Sequence, residues 1–210
     1  MKIIIVGAGG YAKEIAFLIS RLPEYELIGF VDDRYSALQS HIFGKPILGP
    51  ISNLLSYDSE INVAIGIAAP RIKKEIYIKL LNNPYLSFPN LIDPSALIGL
   101  NIDLGVGNVL MANTTYTADI TIGNFNMINI GSTIGHDAVI GDYNAIFPSV
   151  NVSGSVVIGN ENEIGVGAKI IQDILIRDRN IIGAGAVVIR NIESQTKNVG
   201  VPAKLIERWD

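Results

Sequence analysis

The chain has 210 residues, enough for one large domain or two modest ones, and either would bury a real core. Hydrophobic residues make up 49% and charged residues 17%, which excludes a disordered chain. The net charge of −4, with no run of Lys or Arg, leaves no electrostatic footprint for nucleic acid or an anionic membrane. The absence of cysteine excludes a disulfide framework, a thiolate zinc site and a cysteine nucleophile together.

In chain order, Lys2–Val6 reads as a buried strand. Its apolar run is too short for a signal peptide or a spanning helix, so the expectation is a cytoplasmic protein. Gly7-Ala8-Gly9-Gly10-Tyr11-Ala12 follows it and opens a helix over Gly10–Arg21; a second strand, Glu26–Val31, ends at Asp32 and Asp33. This fits the G-x-G-x-x-G/A fingerprint, in which backbone N–H groups at a helix N-terminus attract a phosphate and carboxylates beyond the next strand accept hydrogen bonds from ribose or base. Roughly ninety residues hold only one mononucleotide half, so a nucleotide-linked ligand fits as well as a dinucleotide. A turn that serves packing alone is the plainer alternative. His41 falls in a loop-like segment and is expected at the surface. Ile61–Gly66 is a further strand and Arg71–Leu81 a helix with basic residues on one side, giving a small open parallel sheet. Pro84, Pro89 and Pro94 mark the passage to a different region, so residues 1–90 and 91–210 are expected as separate domains.

The second region is governed by a six-residue period. Ile98, Leu104, Leu110, Tyr116, Ile122, Ile128, Ile134, Ile140, Ile146, Val152, Ile158, Ile164, Ile170, Ile176, Ile182 and Val188 recur without a slip, and fifteen of the sixteen are aliphatic. Neither an amphipathic helix nor a free alternating strand produces this. A longer period is nested in it: Asn108, Asn126, Asn144, Asn162 and Asn180 recur every eighteen residues. The prediction is a parallel β-helix whose coils have three short sides and stack about 4.8 Å apart. Its inner aliphatics should stack on one another, its asparagines form an amide ladder along one inner edge, and its glycines supply backbone freedom at the corners. About five coils follow from the count of hexads, roughly 24 Å tall.

His136 is the single histidine of the repeat region, and Asp137 follows it. It lies two residues past the inward Ile134, at or beyond a corner, where a histidine beside a carboxylate can act as a general base; an idle surface histidine fits the spacing equally well. One histidine does not make the ligand cluster a metal-dependent β-helix enzyme needs. Ser132, Thr133 and Ser149 have no base–orienter pattern around them and are read as corner or ladder residues.

With these residues in view, the chain resembles the PglD/NeuD family of sugar acyltransferases. The resemblance spans the whole sequence and rests on Gly7–Ala12, Phe30-Val31-Asp32-Asp33, Ala64-Ile65-Gly66, Ile134-Gly135-His136-Asp137, Ile182-Gly183-Ala184-Gly185-Ala186 and Gly200-Val201-Pro202-Ala203-Lys204. It implies an α/β Rossmann-like half-domain for the nucleotide sugar, then a left-handed hexapeptide β-helix that assembles as a homotrimer with active sites between subunits. It further implies acetyl-CoA as the donor, no metal, and His136 as the general base with Asp137 as its acidic neighbour. A carboxylate on the next residue reaches the imidazole only if the corner turns it back. One coil beyond His136 lies Gly154, whose N–H matches an oxyanion donor of the family. Ala145, Val166 and Ala184 match contacts to the CoA arm, Ala145 standing where a histidine is usual. Gly9, Gly10, Tyr11, Asp32, Asp33 and Gly66 match the sugar-nucleotide site, Tyr11 again replacing a histidine.

The implied reaction is direct acetylation of the amino group of a nucleotide-activated amino-deoxy sugar, in a bacterial surface-polysaccharide pathway. The rival within the enzyme class is O-acetylation of sialic acid or a related sugar. From other classes come a nicotinamide-binding oxidoreductase and a non-catalytic trimeric sugar-nucleotide scaffold.

Overall fold

A computed structural model of the chain describes residues 1–209, in two compact units: Met1–Leu91 and a second beginning at Ile92. In the first, β1 (Lys2–Val6), α1 (Gly10–Ser20) and β2 (Glu26–Val31) form a strand–helix–strand unit. Strand Ile61–Ile65 pairs with the other edge of β1, followed by α2 (Pro70–Leu80) and the short strand Leu86–Ser87. All pairings in this four-stranded sheet are parallel and β1 is central. A parallel sheet covered on both faces needs strands that are apolar throughout, and Ile3, Ile4 and Ile5 are each 0% exposed. Helix α1 buries Ala12, Ile15, Ala16 and Ile19, the stripe a 3.6-residue period lays on one side. Pro70 starts α2 at the position where a missing N–H costs nothing.

His41 sits not in an irregular loop but in a hairpin, His41–Ile42 against Lys45–Pro46. Phe43 and Gly44 turn it with φ of 51° and 74°, as a two-residue type I′ connection requires. The imidazole is exposed beside Ser40 Oγ at 3.0 Å.

The second unit is a β-solenoid of about six turns, consistent with left-handed winding. Strands pair only with their equivalents eighteen residues away along most of its length: Thr133 with Asn151 and Asn151 with Lys169 on one side, Val139 with Val157 and Val157 with Leu175 on another, Met127 with Ala145 and Ala145 with Glu163 on the third. The stack begins before Ile98, since Asp93 N already donates to Leu110 O at 2.9 Å. The six-residue series from Leu110 to Val188 is buried throughout, and with Ile120, Ala138, Val150, Val156, Ala168 and Ala186 it forms one continuous core. Tyr116, the aromatic exception, is 1% exposed, and its hydroxyl has no hydrogen-bond partner among the described residues.

The asparagine ladder is present. Asn144 shows its unit: its Oδ1 accepts from Asn162 N at 2.9 Å and Asn162 Nδ2 at 3.1 Å. Its own N and Nδ2 donate to Asn126 Oδ1 at 2.8 and 3.0 Å, and Nδ2 also donates to Gly159 O at 2.8 Å. Each side chain thereby satisfies corner backbone groups that burial would otherwise orphan. Thr196 closes the ladder by donating N and Oγ1 to Asn180 Oδ1 at 2.9 and 2.8 Å. A second ladder, not foreseen in the sequence, runs outside it: Asn124 N to Asp142 Oδ1 (2.6 Å), Asp142 N to Asn160 Oδ1 (2.8 Å), Asn160 N to Asp178 Oδ1 (2.7 Å).

The role expected for the repeat glycines needs correction. The left-handed corner positions are mostly not glycine: Asn113, Asp119, Phe125, Asp137, Tyr143, Ser155, Glu161, Asp173 and Arg179 all have φ between 55° and 61°. Gly105, Gly123, Gly141 and Gly159 stand two residues before such corners, with no positive φ. A Cβ at Gly141 would lie 2.7 Å from Gly159 O, and at Gly105 the same distance from Gly123 O. These glycines let one coil approach the next, and torsional freedom is not their function.

Asn144→Ala removes the acceptor of Asn162 N, which is buried, and the donor to Gly159 O, which is partly buried. At about 1–3 kcal/mol for each orphaned group, the variant should lose several kcal/mol in urea denaturation. Tyr116→Phe deletes a buried hydroxyl that approaches Thr114 without making a hydrogen bond of good geometry, so its melting temperature should equal or exceed that of the wild type; a clear drop would show that the approach to Thr114 is a working hydrogen bond.

Candidate functional site

In the first unit, the turns after β1, β2 and strand Ile61–Ile65 all lie at the carboxyl ends of parallel strands. There, beside the point where strand order reverses, open sheets bind ligands. Gly9, Gly10, Tyr11, Asp32, Asp33 and Gly66 line one cavity of about 570 Å³, together with Ala8, Arg34, Ile51, Ile67, Glu75 and Lys79. The glycines differ in what they do. Gly7 has φ of +95°, and a Cβ on Gly66 would lie 2.9 Å from Ala12, so both serve the fold's own close contacts. At Gly9 and Gly10 an added Cβ meets nothing within 4 Å. No packing within the chain requires glycine at either, and a side chain there would stand in open space beside the cavity. Gly9 caps α1 without a side-chain hydrogen bond, leaving the first-turn N–H groups free to meet an anion.

The two aspartates are not equivalent. Asp32 is 6% exposed; its Oδ2 accepts from Ala8 N at 2.9 Å and Arg34 Nη2 at 3.1 Å. Its Oδ1 accepts from Arg34 N at 2.9 Å and Arg34 Nε at 3.2 Å. Four bonds fill the acceptor capacity of a carboxylate. Burial pushes the Asp32 carboxyl up, but the Arg34 side chain and the Arg34 and Ala8 N–H groups outweigh it and hold the group below its ordinary value. Asp32 therefore fastens the glycine turn to the end of β2. Asp33 is exposed and spends one oxygen on Ile51 N at 2.9 Å. Tyr11 stays a neutral phenol, pushed well above its ordinary range by burial and by Glu14.

In the second unit, His136 Nδ1 lies 2.7 Å from Asp137 Oδ2. Asp137 reaches it because its φ of 57° swings the side chain back at the corner. Both groups are exposed, so the pair contributes little to stability; it orients the ring. Asp137 accepting from Nδ1–H leaves the lone pair on Nε2. One coil on, a Cβ at Gly154 would lie 2.5 Å from His136 Cε1 and Nε2. The imidazole thus lies over the Gly154 backbone, in space that any side chain there would occupy, and the Gly154 N–H has no acceptor among the described residues. Val166 and Ala184 stack at a different corner, joined through Gly185 N to Val166 O at 2.8 Å, and both are exposed. Ala145 is on neither corner: it sits in strand Ala145–Ile146 and is 0% exposed. The structure thus brings His136, Asp137 and Gly154 together, and Val166 with Ala184, while Ala145 stands apart.

Ala8, Arg34 and Lys79 escaped the sequence reading. Arg34 follows the aspartate pair directly, a signal available but unused; Ala8 acts through its backbone, which no side-chain pattern reveals. Among the described residues no group of His, Asp and Glu is placed to hold a metal, and no helix is long and apolar enough to cross a membrane.

Because the folded-state pKa of Asp32 is depressed, its stabilising contribution is full above the unfolded value near 3.8 and is lost as pH falls through the lower folded value. The melting-temperature gap between wild type and Asp32→Asn should therefore be constant above about pH 5 and shrink below about pH 4. A gap that did not change with acidification would contradict this role.

Residues 2–80 match the model of the PglD N-terminal domain family. Among curated protein sequences none matches. Among solved structures, the chain is similar to the acetyltransferase domain of PglB from Neisseria gonorrhoeae FA1090, at 29% identity and a TM-score of 0.92 over 98% of this chain and 99% of that one. The same domain in complex with acetyl coenzyme A gives a TM-score of 0.90 at 29% identity, over 98% of each chain. A mutant of perosamine N-acetyltransferase from Caulobacter crescentus, in complex with CoA and GDP-perosamine, matches at 27% identity and 0.88 over 99% of this chain and 97% of that one. WeeI from Acinetobacter baumannii AYE matches at 27% and 0.88 over 98% and 100%. Residues 2–80 thus match the model of the PglD N-terminal domain family, and over nearly its whole length the chain shares the fold of these acetyltransferases.

Proposed function

We propose that the protein transfers an acetyl group from acetyl-CoA to the amino group of a nucleotide-activated amino-deoxy sugar. The observation that carries this reading is the His136 imidazole, fixed through Nδ1 by Asp137 and leaving Nε2 free over the Gly154 backbone. The likeness to proteins crystallised with acetyl coenzyme A, or with CoA and GDP-perosamine, supports the donor and the acceptor class.

In this mechanism the sugar amine attacks the thioester carbonyl carbon and a C–N bond forms. His136 Nε2 takes the proton that the amine gives up. The carbonyl oxygen becomes an oxyanion, which the Gly154 N–H stabilises. Collapse of the tetrahedral intermediate breaks the C–S bond, and the imidazolium returns its proton to the departing thiolate, leaving an N-acetyl sugar and CoA thiol. No covalent enzyme intermediate is required, in keeping with a chain that has no cysteine. The cavity at Gly9 and Gly10 takes the diphosphate at the α1 N-terminus, Tyr11 offers its neutral hydroxyl to the sugar, and the open oxygen of Asp33 accepts from the nucleoside. Val166 and Ala184 line the path of the CoA arm; Ala145, being buried, is the weakest member of the donor set. The working form in this reading is a cytoplasmic homotrimer with active sites between subunits, serving surface-polysaccharide synthesis.

Incubation with acetyl-CoA and a panel of nucleotide-linked amino sugars should release CoA thiol and yield an N-acetyl product by mass spectrometry. Release with hydroxyl acceptors alone would replace the amine reading by O-acetylation of a sugar, and micromolar NADH binding without CoA binding would defeat both. His136→Ala should lower kcat by roughly 10²–10⁴-fold with the melting temperature kept. An unchanged kcat removes His136 from the mechanism.

A further inference from the structure

The solenoid side between the Val166/Ala184 corner and the His136/Gly154 corner presents Thr133, Asn151 and Lys169, one per coil and in register. These three are linked: Asn151 Nδ2 donates to Thr133 Oγ1 at 2.9 Å, and Lys169 Nζ donates to Asn151 Oδ1 at 2.5 Å. The chain of bonds starts in the coil that carries His136, passes the coil of Gly154, and ends two coils on at an exposed ammonium. Lys169 has no carboxylate partner among the described residues, and the asparagine oxygen that holds it leaves its charge uncancelled. One coil further, Arg190 lies two residues past the inward Val188, as His136 lies two past Ile134, in a corner shortened by two residues, since Ile192 bridges Ile176. It too is exposed and has no ion-pair partner among the described residues; the other unpaired cations of this unit, Arg179, Lys204 and Arg208, belong to a different corner and to the antiparallel end strand.

At about 4.8 Å per coil, Lys169 stands roughly 10 Å and Arg190 roughly 14 Å along the stack from the level of His136. Both are displaced in the same direction, the one in which Val166 and Ala184 lie. Two uncompensated cations on a chain of net charge −4 mark where a multiply charged anion would sit. A donor of the acyl-CoA type has this shape: a neutral thioester at one end and, a full pantetheine arm away, a diphosphate and a 3′-phosphate.

We propose that Lys169 and Arg190 bind the phosphates of the acyl donor and so fix its arm along the stack with the thioester at His136; this rests on the donor named above. The neutral part of the ladder, Thr133 and Asn151, orients Lys169 toward the donor path.

The test compares acetyl-CoA with S-acetylpantetheine, which keeps the thioester and the arm but carries no phosphate. The quantity read is the ratio of kcat/KM for the two donors. In the wild type the ratio should exceed unity and fall as salt is raised. In Lys169→Ala with Arg190→Ala it should fall about tenfold or more, the scale of losing charge-assisted hydrogen bonds, with the change in KM for acetyl-CoA. Lys169→Arg should restore most of the loss in an Arg190-intact background where Lys169→Ala does not. A ratio within twofold of wild type in the double variant, with the melting temperature unchanged, overturns the assignment while leaving the acetyltransferase reading intact. A wild type that uses neither donor overturns both.

Discussion

Every coil of the second unit must come back directly above the one before it, and the packing that enforces this is backbone against backbone at the corners. The glycine column Gly105, Gly123, Gly141 and Gly159 leaves no space for a Cβ between successive coils. The asparagine ladder then ties the same corners together from inside: the amides of Asn108, Asn126 and Asn144 each accept two bonds from the next coil and donate one to a corner carbonyl. Close approach and amide pairing are one constraint seen from two sides: coils further apart would break the ladder, and coils slipped sideways would orphan its carbonyls. All else in this unit, including the positions of His136 and Lys169, is measured from that stack.

The catalytic candidates inherit their geometry from the repeat and depart from it at few points. Asp137 adopts the left-handed corner conformation that Asp119, Ser155 and Asp173 also adopt in its column. What is particular is that its neighbour is an imidazole of the right length to meet it, and that the next coil carries glycine where a side chain would displace the ring. The proposed chemistry is therefore an ordinary corner with two substitutions. In the first unit the same economy holds: Gly7 and Gly66 serve the fold, and Gly9 and Gly10, which the fold does not need, border the cavity.

The inner series from Leu110 to Val188 was legible in the sequence because the inside of a narrow coil accepts only one class of side chain at one interval, so the pattern is written without noise. The asparagines were legible for the same reason. The outer ladder through Asn124, Asp142, Asn160 and Asp178 was harder to read, since its acceptors alternate between two residue types and either would be unremarkable at the surface. The glycines were visible but misread: sequence gives their position, not whether torsion or close approach demands them. In the α/β unit the cluster Gly9, Gly10, Asp32, Asp33 and Gly66 was found by motif, yet the motif does not divide labour between adjacent aspartates. That required seeing the Ala8 N–H and Arg34 fill the oxygens of one and leave the other open. The burial of Ala145 was invisible for a similar reason, because periodicity reports which way a side chain points and not what lies over it.

The glycine column, packed main chain to main chain, also restricts how a chain of this kind can change in length. An insertion of one or two residues inside the stack would set a side chain against the backbone above and carry every later rung out of phase. Gain or loss of a complete eighteen-residue turn would leave the packing between rungs as it was. Toward the C-terminus one interval shortens, Thr196 following Asn180 by sixteen residues; Thr196–Val199 still pairs in parallel with Ile181–Ile182, and Lys204–Arg208 then folds back antiparallel against it. Growth or trimming of the molecule is in this sense quantised over the uniform part of the stack, and the one shortened turn lies at its end, where no further full coil has to be kept in phase.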